Sequence, residues 1–136
     1  MYLKNVDIGQ LEISQLKLPS FEIVELWSVE GVSKLLPLVS CHKLVMWDID
    51  LTTDDTFTLA NCLQTNVTKL LLCDGVSLDM SVLFDYEGDG TCNYVRCGFS
   101  SCTWYRHQMT FWARKMGWTV SDSGNAYFGG IIIRKC

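Results

Sequence analysis

The sequence predicts an α/β fold in which about five parallel strands line one face and helices cover the other. Recurrence is the first observation behind this. His42 to Leu51, HKLVMWDIDL, returns in nearly superposable form as Thr68 to Leu78, TKLLLCDGVSL. Spacing is the second: the apolar positions Cys41, Leu44, Met46, Ile49 and Leu51 form a template that Ile8, Leu11, Ile13, Leu16 and Leu18 also satisfy. The third is that segments of helical periodicity lie between these strand-like stretches.

In Ile8 to Leu18, Leu11, Glu12, Ile13 and Ser14 alternate apolar with polar, which predicts a first strand with Leu11 and Ile13 on one face; Pro19-Ser20 ends it. From Phe21 to Ser40, Val24, Val32, Leu35, Leu36 and Val39 fall at helical spacing, and Pro37 interrupts it, so one irregular helix or two short ones are expected. Leu44 to Trp47 is the second strand. Thr53-Asp54-Asp55 then opens a helix with a capping hydroxyl and carboxylates at the positive end of the dipole, with Phe57, Ala60 and Leu63 along one side. Asn66 closes it, and Val67 to Cys73 is the third strand. Ser77-Leu78-Asp79 starts a shorter helical piece through Phe84, closed by the turn Gly88-Asp89-Gly90.

Cys92, Val95, Cys97, Ser100 and Cys102 repeat the template a fourth time. Thr103 to Gly117 then reads as a helix with Trp104, His107, Phe111, Ala113 and Met116 covered, Arg106, Arg114 and Lys115 in water, and Gly117 as a left-handed cap. A loop from Ser121 to Asn125 leads to a fifth match at Phe128, Ile131, Ile133 and Cys136, which Gly129-Gly130 weakens.

At 136 residues the chain is expected to be one domain, with candidate units 8–40, 41–66, 67–91, 92–127 and 128–136. A hydrophobic share of 49% with 19% charged places it well away from the composition of disorder. The net charge of −4, with basic residues scattered along the chain, excludes a nucleic-acid backbone as the expected partner. Seven cysteines, an odd count, and an opening Met1 to Asn5 without an apolar signal segment predict a reduced, cytoplasmic protein. Asn66-Val67-Thr68, an acceptor-like triplet, then falls by chance where a strand begins. No apolar run has the length of a spanning helix, so no membrane partner is expected.

Template starts at residues 8, 41, 67, 92 and 128, each opening a strand, turn and helix, resemble the leucine-rich repeat family in its helix-containing, ribonuclease-inhibitor-like or adaptor style. One unit cannot bury its own apolar face, so the resemblance implies a short solenoid in which stacked units share a core. The family's usual Asn or Cys at the ninth position is replaced by Leu16, Ile49, Gly75 and Ser100, and only Cys136 conforms, so these turns need another stabilisation. An unrelated α/β sandwich stays open as a rival architecture, as does the C-terminal cap of a longer array.

The resemblance implies that a protein partner binds the concave sheet face, through the residues between the core positions. The candidate partner-binding residues are Lys43, Val45, Trp47, Asp48, Lys69, Leu71, Asp74 and Arg96, preceded by Glu12, Ser14 and Gln15, with Cys73, Tyr94, Phe99, Ile132 and Arg134 beside or beyond them. Val45, Leu71 and Ile132 make this face more apolar than solvation requires, which points to a covered surface. Self-association through a terminal strand edge or this face is a further expectation.

Cys92, Cys97, Cys102 and His107 recur every five residues and invite a zinc or cysteine–histidine reading, since thiolates and imidazole serve as ligands or as a nucleophile–base pair. Their template positions are core positions, where cysteine acts as a small hydrophobe. Asp48, Asp50, Asp54 and Asp55 lack an ordered cation-ligand pattern, and neither Gly88-Asp-Gly nor Gly129-Gly130 belongs to a phosphate loop. The expected function is a non-catalytic interaction module, as adaptor, assembly subunit or innate immune recognition domain, with no catalytic residue, metal or cofactor. A small zinc-dependent or cysteine-based enzyme is the alternative.

Overall fold

Strict alternation decides where the first strands form. In FEIVELW, Val24 and Leu26 are fully buried while Ile23, Glu25 and Trp27 point the other way, and Phe21–Trp27 is a strand, β2, rather than a helix. A short strand β1, Tyr2–Lys4, pairs with it in parallel. The predicted strand at Ile8 to Leu18 is replaced by a 3-10 turn, Ile8–Gln10, and irregular chain in which Leu11 and Leu16 are exposed. The template matched there because Ile8 is a core residue, but it belongs to the turn after β1.

The computed structural model describes residues 1–98, 103–122 and 130–136. The remaining strands are β3 (Cys41–Trp47), β4 (Val67–Leu72), β5 (Tyr94–Cys97), β6 (Thr119–Asp122) and β7 (Ile131–Arg134). The helices are α1 (Val32–Leu35), α2 (Thr53–Thr65), α3 (Met80–Leu83) and α4 (Thr103–Met116). Among the described residues the sheet has seven strands in the order β1-β2-β3-β4-β5-β7-β6. The first five are parallel neighbours in chain order; β7 runs antiparallel to β5 and to β6. The fold is thus α/β with a mostly parallel sheet in which the expected second, third and fourth strands appear as β3, β4 and β5, whereas β1 and β2 stand in place of the expected first strand and the last segment forms an antiparallel pair. Ser121, expected in a loop, lies in β6, while Ser100, Cys102 and Phe128 fall outside the described residues.

Leu44 and Met46, Leu70 and Leu72, Val95 and Cys97, and Ile131 and Ile133 bury one face of the sheet beneath the helices. α2 contributes Leu59, Ala60, Cys62 and Leu63, whereas Phe57 is 55% exposed. Its capping hydroxyl is that of Thr52, one residue before the predicted start. α4 buries Met109, Trp112 and Ala113, the three-and-four spacing of one helix face. His107 and Phe111, expected on the covered side, are exposed instead. Among the described residues no helix is long and apolar enough to cross a membrane.

The strands end alike. Asn5, Ser28 and Asp48 follow β1, β2 and β3 with left-handed φ values of 57, 49 and 51°, and Gly75 takes φ 80° after β4. Lys4, Trp27 and Trp47 are register partners, so successive turns stack. Asn5 N–H donates to Trp27 O, Ser28 N–H to Trp47 O, and Asp48 N–H to Asp74 O. The next residues, Val29, Ile49 and Val76, drop into the core. Cross-turn backbone hydrogen bonds hold these turns, and Asn, Ser, Asp and Gly are residues that take the left-handed conformation the turns require.

Candidate functional site

Alternation gives the sheet a second face that no helix covers among the described residues, and the parallel register sorts it into rows. Ile23, Lys43, Lys69 and Tyr94 stand side by side, followed across the antiparallel pair by Arg134. The next row is Glu25, Val45, Leu71, Arg96 and Ile132. Lys4, Trp27 and Trp47 form the third.

In the third row the two indoles stack, centroids 4.5 Å apart and planes 8° from parallel, and Lys4 Nζ lies 5.7 Å from the Trp27 centroid. Trp27 Nε1 donates to Glu25 Oε1 at 2.8 Å. The register partner of Glu25 is Val45, which offers the second indole no acceptor, and the buried Trp47 Nε1 has no hydrogen-bond partner among the described residues. An unsatisfied buried donor costs about 1–3 kcal/mol. At the other side of the face, Lys69 Nζ and Arg134 Cζ lie 5.3 and 5.5 Å from the Tyr94 centroid.

Between these rows is a hollow of about 440 Å³ lined by Ile23, Lys43, Val45, Trp47, Leu71 and Arg96, among others. Ile23 is 45% exposed, and Val45, at 9%, is buried by its neighbours on this face without joining the core. The Cys73 thiol, on the same wall, is pushed up to about 11, chiefly by burial, with Arg96 pulling the other way.

Of the eight candidate partner-binding residues, Lys43, Val45, Trp47, Leu71, Asp74 and Arg96 all line this hollow, and Lys69 stands in the adjoining row. Asp48 does not: it occupies the left-handed turn, where its carboxylate accepts from Ser28 Oγ at 2.6 Å. Glu12, Ser14 and Gln15 lie in the irregular segment, where the Glu12 carboxylate accepts from Ser14 and its pKa is lowered by that bond. Phe99 is outside the described residues. Sequence reasoning missed Lys4, Ile23, Glu25 and Trp27. The signal for Glu25 and Trp27 was the likeness of ELWSVEG to VMWDIDL, with tryptophan at the same strand end.

The cysteine cluster does not assemble among the described residues. Cys92 and Cys97 are buried, and burial is the main cause that raises both thiols, Cys92 to about 11. His107 is exposed on α4, and Cys102 lies outside the described residues. Thiols held protonated are the reverse of an activated nucleophile. No group of three His, Cys, Asp or Glu able to hold a metal ion is found among the described residues. Asp50 accepts from Ser77 Oγ, and Asp55 caps α2. Comparison with protein-family models, with curated proteins and with solved structures returns no match.

Proposed function

We propose that the chain is a non-catalytic module that binds a protein partner through the open face of its sheet. The observation that carries this reading is the hollow itself: an aliphatic floor of Val45 and Leu71 with the half-exposed Ile23, walled by Trp47 and edged by Lys43, Arg96, Glu25 and Asp74, on a face without a helix among the described residues. An apolar surface of this kind is costly to leave in water and suits an aromatic-anchored contact. In this reading the molecule is a short leucine-rich-repeat-type solenoid acting as an adaptor or assembly subunit in the reducing cytoplasm. The chain-order strands β1 to β5 and their matching left-handed turns support the architecture, and the odd cysteine count supports the compartment.

The test is affinity capture from native extract with the wild type, Trp47→Ala, and Phe57→Ala as a control on the exposed side of α2. A partner retained by the wild type and by Phe57→Ala but lost with Trp47→Ala is the expected result. The same partners on all three baits would overturn the reading.

A further inference from the structure

Although the chain carries a net charge of −4, its open face is cationic. Lys4, Lys43, Lys69, Arg96 and Arg134 all stand on it, against two carboxylates, Glu25 in the strand rows and Asp74 in the lining of the hollow. Residues far apart in sequence are gathered here because parallel register puts them in neighbouring rows: Lys43 is the register partner of Lys69, and Lys69 of Tyr94. Glu25 is already engaged by the Trp27 indole. The ion pair found among the described residues is Arg106 with Asp122, so none of the face cations has a carboxylate partner there. A face with an aliphatic floor and five cations against two carboxylates has the complement of an apolar anchor flanked by carboxylates.

We infer that the occupant of this face is an acidic protein segment, whose apolar side chain seats on Val45 and Leu71 while neighbouring carboxylates pair with Lys43, Lys69 and Arg96. This rests on the proposed reading of the face as a protein-binding surface. Single-stranded nucleic acid fits less well, because it needs free aromatic faces for base stacking. Trp27 is stacked on Trp47 with Lys4 over its ring, and both Lys69 and Arg134 lie over Tyr94. The floor between them is aliphatic, not aromatic.

The experiment is selection of a random displayed peptide library on the full chain, followed by affinity measurement of the selected peptides on variants. Expected are peptides rich in Asp and Glu around an apolar residue. Their affinity falls at least about tenfold with Lys43→Glu/Lys69→Glu, falls as salt is raised, and is unchanged by Arg114→Glu on α4. Trp47→Ala and Leu71→Gln weaken binding as well, the second providing a face variant if the first disturbs the fold.

Peptides lost on Trp47→Ala and Leu71→Gln, but neutral or basic and indifferent to the charge reversal, would overturn the acidic partner and leave the face reading intact. Peptides indifferent to every face variant, or none selected, would overturn both. A uridine oligonucleotide that competes with the selected peptides and outbinds them at physiological salt would overturn the inference in favour of nucleic acid.

Discussion

Gly31 and Gly117 share a backbone φ of 74°, but only one is closed to a side chain. A Cβ on Gly31 would clash with the backbone nitrogen of Gly9, whereas none of the described residues lies within 4 Å of one on Gly117. Both substitutions to alanine carry left-handed strain of about 1–2 kcal/mol, and Gly31→Ala adds a backbone clash. Urea denaturation should therefore show Gly31→Ala the less stable by at least about 1 kcal/mol, and equal losses would disprove the close approach. Burial pushes the Tyr86 phenol up to about 12, and its hydroxyl donates to Cys92 O at 2.7 Å. Because the folded pKa lies above the ordinary value of 10, this group's contribution to stability is fully present below pH 10 and is lost as pH rises through about 12. Tyr86→Phe should flatten the alkaline limb of a pH–stability profile over that window while lowering stability at neutral pH. The identity of Trp47 as a face residue was legible from alternation alone. That of Asp48 was not, because a left-handed turn moves a side chain off the strand period and leaves no mark in the hydropathy pattern.

α2 is held at its start by a reciprocal cap: Asp55 N–H donates to the Thr52 hydroxyl, and Thr52 N–H donates to Asp55 Oδ2. The other oxygen of Asp55 accepts from Ser33 N–H at 3.1 Å, so one buried carboxylate joins α2 to the first turn of α1. Thr52→Ala should cost about 1 kcal/mol, the usual value of an N-cap. Asp55→Ala should cost more, about 2–3 kcal/mol, since it also leaves the Ser33 N–H without its acceptor. If thermal unfolding shows the two equal, the link to α1 contributes nothing. The cap was readable to within one residue because hydroxyls and acids before an apolar stripe have a local cause. β2 was not: Val24 continues a helical spacing with Val32, Leu35 and Leu36, and only the alternation of Ile23, Glu25 and Trp27 identifies the strand. In α4 the expected covered set placed Ala113 correctly but joined it to His107 and Phe111, whereas the buried stripe joins it to Met109 and Trp112. The Trp112 indole donating to Tyr86 O at 3.0 Å fixes which stripe is inside.

Across the molecule, one sheet separates two jobs that the sequence interleaves residue by residue. Leu70 faces the helices and is fully buried; its neighbour Leu71 faces the hollow. Parallel pairing of β3, β4 and β5 was legible from the recurring template, but the antiparallel β6–β7 pair was not, because two adjacent short strands with Ile131 to Ile133 carry no mark of direction. Nor was the cationic face, since charge scattered along a chain becomes a patch only through register. The separation of faces yields a paired prediction. Leu70→Ala should cost about 2–5 kcal/mol of stability, as a core leucine does. If the remaining stability keeps the chain folded, its affinity for a partner should be unchanged when measured well below the lowered Tm. Trp47→Ala should do the opposite, removing the wall of the hollow and weakening binding while costing less stability than Leu70→Ala. A measurement in which the two substitutions reduce binding and stability in the same proportion would mean that the faces are not independent. The open side of the sheet would then be a second part of the core, covered in the native assembly, rather than a surface kept for exchangeable partners.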